Sequence, residues 1–146
     1  MKSVKNIKIL LFMSLVLVLM ACTSGVRLDT SNKYPFNSKM FEIFGEDITI
    51  VDSINKSQAQ ISTLDISKDQ QKLDKVVKAL QKDGWLLKGK GEGVDTYCLD
   101  KNNGINIVMP NSKPIIDYQG TILPTGDVSV NSIVFFYISH GVNECE

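Results

Sequence analysis

One histidine and a scatter of carboxylates bound the chemistry open to this chain of 146 residues. His140 follows Ser139, and Asp127 opens the same apolar stretch. A Ser/His/Asp set needs a serine hydroxyl brought to the imidazole from another element. Neighbours on one strand point to opposite faces, so Ser139 is expected to miss His140 unless the backbone kinks. The sequence holds no Gly-x-Ser-x-Gly elbow. A solvent-exposed histidine at a strand end is therefore the expectation. Gly89, Gly91 and Gly93 could suggest a phosphate loop, but a dinucleotide or Walker-type loop leads directly into a helix. The residues after Gly93 are β-rich instead, so a flexible hairpin turn is expected. The run Asp100-Lys101-Asn102-Asn103-Gly104 approaches a calcium loop. The EF-hand pattern places its glycine one position later and needs a distal glutamate, so a β-turn accounts better for these residues. Asp95 and Asp100 would need a shared cleft for acid–base work, and nothing in the sequence supplies one. No catalytic residue is assigned, and the chain is not expected to be an enzyme.

The elements that would position such groups are read from periodicity. Leu73, Val76, Val77 and Leu80 recur at helical spacing, predicting a helix over residues 67–83 with one apolar stripe. Ser67 and Gln70 form a capping box, Asp69 sits in the first turn, and Gly84 closes the end. A short helix over residues 38–44 is predicted, capped by Ser38, with Met40, Ile43 and Phe44 inward and Gly45 as its stop. Strands are predicted over 47–52, 58–66, 85–88, 94–100, 105–109 and 127–140. The alternation slips between Ile61 and Leu64, which suggests a bulge or a bend. The last strand is apolar on both sides: Val128, Val130, Val134, Phe136 and Ile138 against Ile133, Phe135 and Tyr137. Such a strand lies centrally with both faces covered, or leaves one face for a partner. Hairpins around one main helix make the fold class α+β, a two-layer arrangement of a helix on a mostly antiparallel sheet.

The amino terminus carries a different signal. Lys2, Lys5 and Lys8 precede an apolar run from Ile9 to Met20. A basic start, a short apolar middle and a small residue before the cut make a secretory signal peptide. About a dozen apolar residues are too few for a membrane span, which needs roughly 20. Leu19-Met20-Ala21-Cys22 resembles the lipobox of bacterial lipoproteins. That resemblance implies cleavage before Cys22, acylation of Cys22, and palmitate among its chains. Two or more acyl chains hold a protein stably on a bilayer, where one does so only marginally. Thr23 rather than aspartate follows the cysteine, which in the family implies the outer membrane, with the domain in the periplasm. The order of strands and helix is similar to the small sheet-and-helix domains of many lipoproteins. The expected organisation is a signal peptide over 1–21, a lipidated tether over 22–37 and a single domain over 38–146.

With Cys22 taken by lipid, Cys98 and Cys145 form an even pair in an oxidising compartment, and a disulfide is expected. Its loop of about 47 residues would contribute roughly 3–4 kcal/mol in the chain-entropy model. One histidine and two oxidised cysteines make no zinc set, so neither metal nor cofactor is expected. Removing the leader's three lysines from 16 basic and 16 acidic residues leaves a net charge of −3. That balance points away from nucleic acid and from a polybasic membrane-binding surface.

Residues 110–126 hold Pro110, Pro114, Pro124, Gly120 and Gly126 around Ile115, Ile116, Tyr118, Ile122 and Leu123. They read either as a proline-stiffened binding loop or as an irregular hairpin packed on the core. With Phe135 and Tyr137 they make the candidate binding surface. The expected function is a membrane-anchored binding domain for a protein or envelope component. Alternatives are an immunity or inhibitor lipoprotein, an accessory subunit of an envelope machine, and an enzyme acting on cell wall or lipid.

Overall fold

The computed structural model describes residues 32–111, 114–124, 126–141 and 144–146. In order these form α1 (Phe36–Phe44), β1 (Ile50–Asn55), β2 (Ala59–Ser67), α2 (Gln70–Lys82), β3 (Leu86–Lys90), β4 (Val94–Cys98), β5 (Asn103–Val108), β6 (Ile115–Ile116), β7 (Ile122–Leu123) and β8 (Val130–Ile138). The expected signal peptide over 1–21, Cys22 and the expected tether as far as residue 31 lie outside the described residues.

Six strands make one sheet in the order β1-β2-β8-β5-β4-β3, and β6 with β7 makes a separate ribbon. Every pairing in the large sheet is antiparallel. The chain's last strand thus enters between β2 and β5. Its apolar residues on both sides suit a central position, where each face has cover to gain. The fold class is α+β, with both helices against the sheet.

Alternation sorts the strands into two faces. Leu64 and Ile66 of β2, Ile133, Phe135 and Tyr137 of β8, Ile105 and Ile107 of β5, and Tyr97 of β4 join one buried cluster. Leu73, Val76 and Leu80 of α2 and Phe36 and Met40 of α1 close that cluster from the other side. Phe36 stacks on Phe135 at 5.1 Å, and Tyr34 meets Trp85 edge-on at 5.0 Å. The domain therefore starts before residue 38. Tyr34 and Phe36, the two tether residues expected to reach the domain, are 7% and 1% exposed in its core.

Local details also depart from expectation. Asp69, not Ser67, caps α2, its carboxylate accepting from the Gln71 N–H, while Ser67 is the last residue of β2. Trp85 N–H donates to Leu80 and Gly84 N–H to Gln81, a Schellman closure that needs the left-handed Gly84 at φ 94°. α1 begins at Phe36 with no side-chain cap. The slip between Ile61 and Leu64 is not a bulge in the pairing with β8, whose register is unbroken. β2 runs unbroken, and polar Gln60 and Ser62 occupy inward positions where alternation alone would put apolar residues. The register shifts instead in β1, between Asp52 and Ile54, and in β3, between Leu87 and Gly89.

Candidate functional site

The second face of the sheet divides into two halves. Over β3, β4 and β5 lie the β6–β7 ribbon and the C-terminal residues. Cys98 and Cys145 are joined by a disulfide, with Cα atoms 5.6 Å apart. Glu144 beside it accepts from Asn106 Nδ2 at 2.9 Å through its carboxylate, and from the Tyr118 hydroxyl at 2.6 Å through its backbone carbonyl. Thr96 Oγ1 donates to Asn106 Oδ1 at 2.8 Å under this cover. The ribbon presses on glycines. A Cβ on Gly89 would run into the Tyr118 ring, and one on Gly91 into the Ile116 carbonyl. These glycines serve close approach rather than hairpin flexibility.

Of the two readings of residues 110–126, the packed hairpin is the one that forms. Ile115 pairs with Leu123 and Ile116 with Ile122. Asp117, 4% exposed, ties the turn by accepting from the Gln119 and Thr121 N–H groups. The candidate surface is consequently redrawn. Ile115, Phe135 and Tyr137 are 1% or less exposed and belong to the interior. Ile116, Tyr118 and Leu123 are half-buried, and Ile122 projects into solvent. Phe135 and Tyr137 fail because their side of β8 is the helix side.

The other side of β8 is the open one. Over β1, β2 and β8 no described element lies across the second face. The register aligns Ile54, Ile61 and Phe136 across three strands, with Val51, Thr63 and Val134 in the next row. Ala59 and Ile138 extend the patch toward one end. These side chains are half-buried or exposed, Val51 most of all at 58%. Phe136 marks the border with the covered half, because the far end of its ring lies over Gly104 of β5, where a Cβ would collide with it. Sequence reasoning puts Phe136, Val134 and Ile138 together on one side of the strand, but it takes the opposite side for the surface. The signal able to decide between them is the stripe of α2 and the aromatic residues before it, which need three large residues to pack on.

The residues considered for chemistry are scattered. Ser139 Oγ does reach His140 Nδ1, at 3.0 Å, because β8 ends at Ile138 and the chain bends there. The pair stands at the exposed end of β8, and Asp127 lies beyond the opposite end. Asp95 is engaged by Lys90 Nζ at 3.1 Å. Asp100 is spent on its own turn, accepting from Asn102 N–H, Asn103 N–H and Asn103 Nδ2. Among the described residues no group of three or more His, Cys, Asp or Glu could hold a metal ion.

Two polar clusters lock the helix side. Asp52 accepts from Ser62, Asn55 and Asn37, and these bonds, the Ser62 hydroxyl's first, hold its pKa below the usual value. The Tyr34 hydroxyl donates to Asp83 at 2.8 Å, and Lys39 Nζ lies 3.3 Å from the same carboxylate. Burial, then the bond to Asp83, pushes the Tyr34 phenol well up, while Tyr34 and Lys39 hold Asp83 low. Both clusters fasten the entering chain to the domain. Comparison with protein-family models, with curated proteins and with solved structures returned no match to this chain.

Proposed function

We propose that this protein is a bacterial lipoprotein, acylated at Cys22, that holds a small α+β binding domain on the periplasmic side of the outer membrane. Its work is to bind a protein through the open half of the sheet. One observation carries this reading: Val51, Ile54, Ile61, Val134, Phe136 and Ile138 form a continuous apolar surface on a folded domain. Scattered exposed apolar residues need no explanation, but a contiguous patch on a rigid face marks an interaction site. The patch sits on three paired strands, the edge strand β1 with β2 and β8, rather than on a loop, so it is pre-shaped, and binding would order little. The leader supports the address: a basic start, a short apolar run and the sequence Leu19-Met20-Ala21-Cys22. An immunity or inhibitor role is one form that such binding could take.

The test places a photo-crosslinking residue at Val134 in the full-length protein, in the envelope of its host. One adduct of defined mass is expected, lost when Ile61→Lys and Ile138→Lys are introduced without loss of fold. Equal capture from a crosslinker at Ile122, or none at Val134, would remove the open half as the site. Mass spectrometry of the amino-terminal peptide tests the anchor independently. An unmodified Cys22 would overturn it.

A further inference from the structure

A groove of about 460 Å³ runs between one flank of α2 and the strands β3 and β4, on the helix side of the sheet. Its place follows from the register. Asp95 and Tyr97 alternate with Thr96, so both face α2. Lys90 pairs with Asp95 and Leu87 with Tyr97, and the register shift between Leu87 and Gly89 brings Lys90 to this side. The opposite wall is the flank of α2 that carries Asp74, Val77, Lys78 and Gln81. The volume lies within the range of small-molecule sites, about 300–1,000 Å³.

The floor of the groove is apolar and its rim is polar. Leu73 and Tyr97 are buried, and Val77 and Met109 are half-buried. Tyr97 is 5% exposed, yet its hydroxyl has no hydrogen-bond partner among the described residues. A polar group on so buried a residue costs free energy unless a molecule outside the chain satisfies it. Burial, then the charge of Asp95, pushes the phenol's pKa up, so it stands in the groove as a neutral group. The charges that line the groove balance, Asp74 and Asp95 against Lys78 and Lys90. Both carboxylates are engaged, Asp74 by Gln70 Nε2 at 2.8 Å and Asp95 by Lys90 Nζ at 3.1 Å. A ligand cation would find no unengaged carboxylate, and a ligand anion would lie between two of them. The Tyr97 hydroxyl and the Gln81 amide each donate and accept, and neither asks for charge.

We propose that this groove binds a neutral saccharide of one or two sugar units. Its hydroxyl groups bond to the Tyr97 hydroxyl and the Gln81 amide, and its C–H face lies on Leu73, Val77 and Met109. Sugar hydroxyls donate and accept as this rim does. An apolar floor with a few convergent polar groups is the usual build of a small-molecule site. The groove and the open apolar half occupy opposite sides of the sheet, so this site depends neither on that surface nor on the anchor.

The test uses the full-length protein with carbon-13 labelled methyl groups. Maltose, cellobiose and N,N′-diacetylchitobiose are titrated to millimolar concentration, with glucuronate and glucosamine as charged counterparts. At least one neutral disaccharide should move the Leu73, Val77 and Met109 methyl signals and leave those of Ile54 and Ile138 in place. Tyr97→Phe keeps the ring and removes a hydroxyl that nothing in the protein uses. It should leave the unfolding midpoint unchanged and weaken binding about three- to tenfold, the worth of one neutral hydrogen bond. Gln81→Ala, at the exposed rim, should weaken binding to a similar degree. Silence of the groove methyls with all three neutral sugars overturns the proposal, as does tighter binding of glucuronate or glucosamine. Binding that Tyr97→Phe and Gln81→Ala leave untouched overturns it as well.

Discussion

The two halves of the sheet's second face are covered unequally, and the cover does not follow apolarity alone. Under the ribbon and the disulfide, the covered half is floored by Gly89, Val94, Thr96, Gly104 and Asn106, a mixed floor whose polar pair is held by specific bonds. The open half is floored by Ile61, Val134, Phe136 and Ile138. Buried polar groups stay buried only when they are hydrogen-bonded, and the Thr96–Asn106–Glu144 chain meets that condition. Apolar area gains free energy when covered, at about 25 cal/mol per Å². The cover this chain provides encloses a hydrogen-bonded polar pair along with Val94 and Ile115. The row Ile61, Val134, Phe136 and Ile138 on the other half has no described element over it.

The comparison predicts different responses to substitution. The largest effect is expected from breaking the strap. Cys98→Ser with Cys145→Ser should cost about 2–5 kcal/mol in denaturant unfolding. Amide exchange should rise at Thr96 and Asn106 while that of β2 stays slow. If the loss instead spread evenly over all six strands, the halves would not be separable units. A smaller effect is expected at the border. Gly104→Ala places a methyl group into the Phe136 ring, and displacing that ring should cost about 1–3 kcal/mol. Gly104→Ala with Phe136→Leu should recover part of that loss, which a backbone cause would not permit.

The helix side of the molecule was legible in the sequence because one rule governed it. The stripe Leu73, Val76, Val77 and Leu80 demanded a core, and alternation in β4, β5 and β8 supplied it. The disulfide was legible from cysteine count and compartment. The features that escaped were decided by neighbours distant in sequence. Gln60 and Ser62 look like surface residues until Asp52 and the register with β1 bring them partners. Gly89 and Gly91 look like turn residues until the ribbon, more than 20 positions on, lies against them. The choice between the two sides of β8 depended on where α2 would lie, and alternation within the strand is symmetric about that choice.

The open half should tolerate what the covered half does not. Ile61→Thr with Val134→Thr keeps β-branched residues on both strands while removing apolar surface that is already half in water. A change of less than about 1 kcal/mol is expected, and the crosslinked adduct at this face should be lost. A loss above about 2 kcal/mol would mean that these residues support the core, and the patch would cease to be a binding surface.

The smallest effect concerns the lock at the chain's entry, which belongs to neither half and so calibrates both. Asp83 has its pKa depressed below 3.8 in the fold, first by the Tyr34 hydroxyl. Its contribution is fully present above its unfolded value and is lost as pH falls through the lower folded value. Tyr34 is shifted the other way, raised above 10.0 by burial and then by Asp83. Its contribution is complete below about pH 10 and declines as pH rises through the folded value. The two signs bracket a broad plateau between about pH 5 and 9. Tyr34→Phe keeps the ring against Trp85 and removes the bond. It should shift the acid limb upward, because Asp83 loses its donor, and should leave the adduct at Val134 unchanged. An acid limb that stays in place would assign the depressed Asp83 pKa to Lys39 instead, and Lys39→Met would then move it.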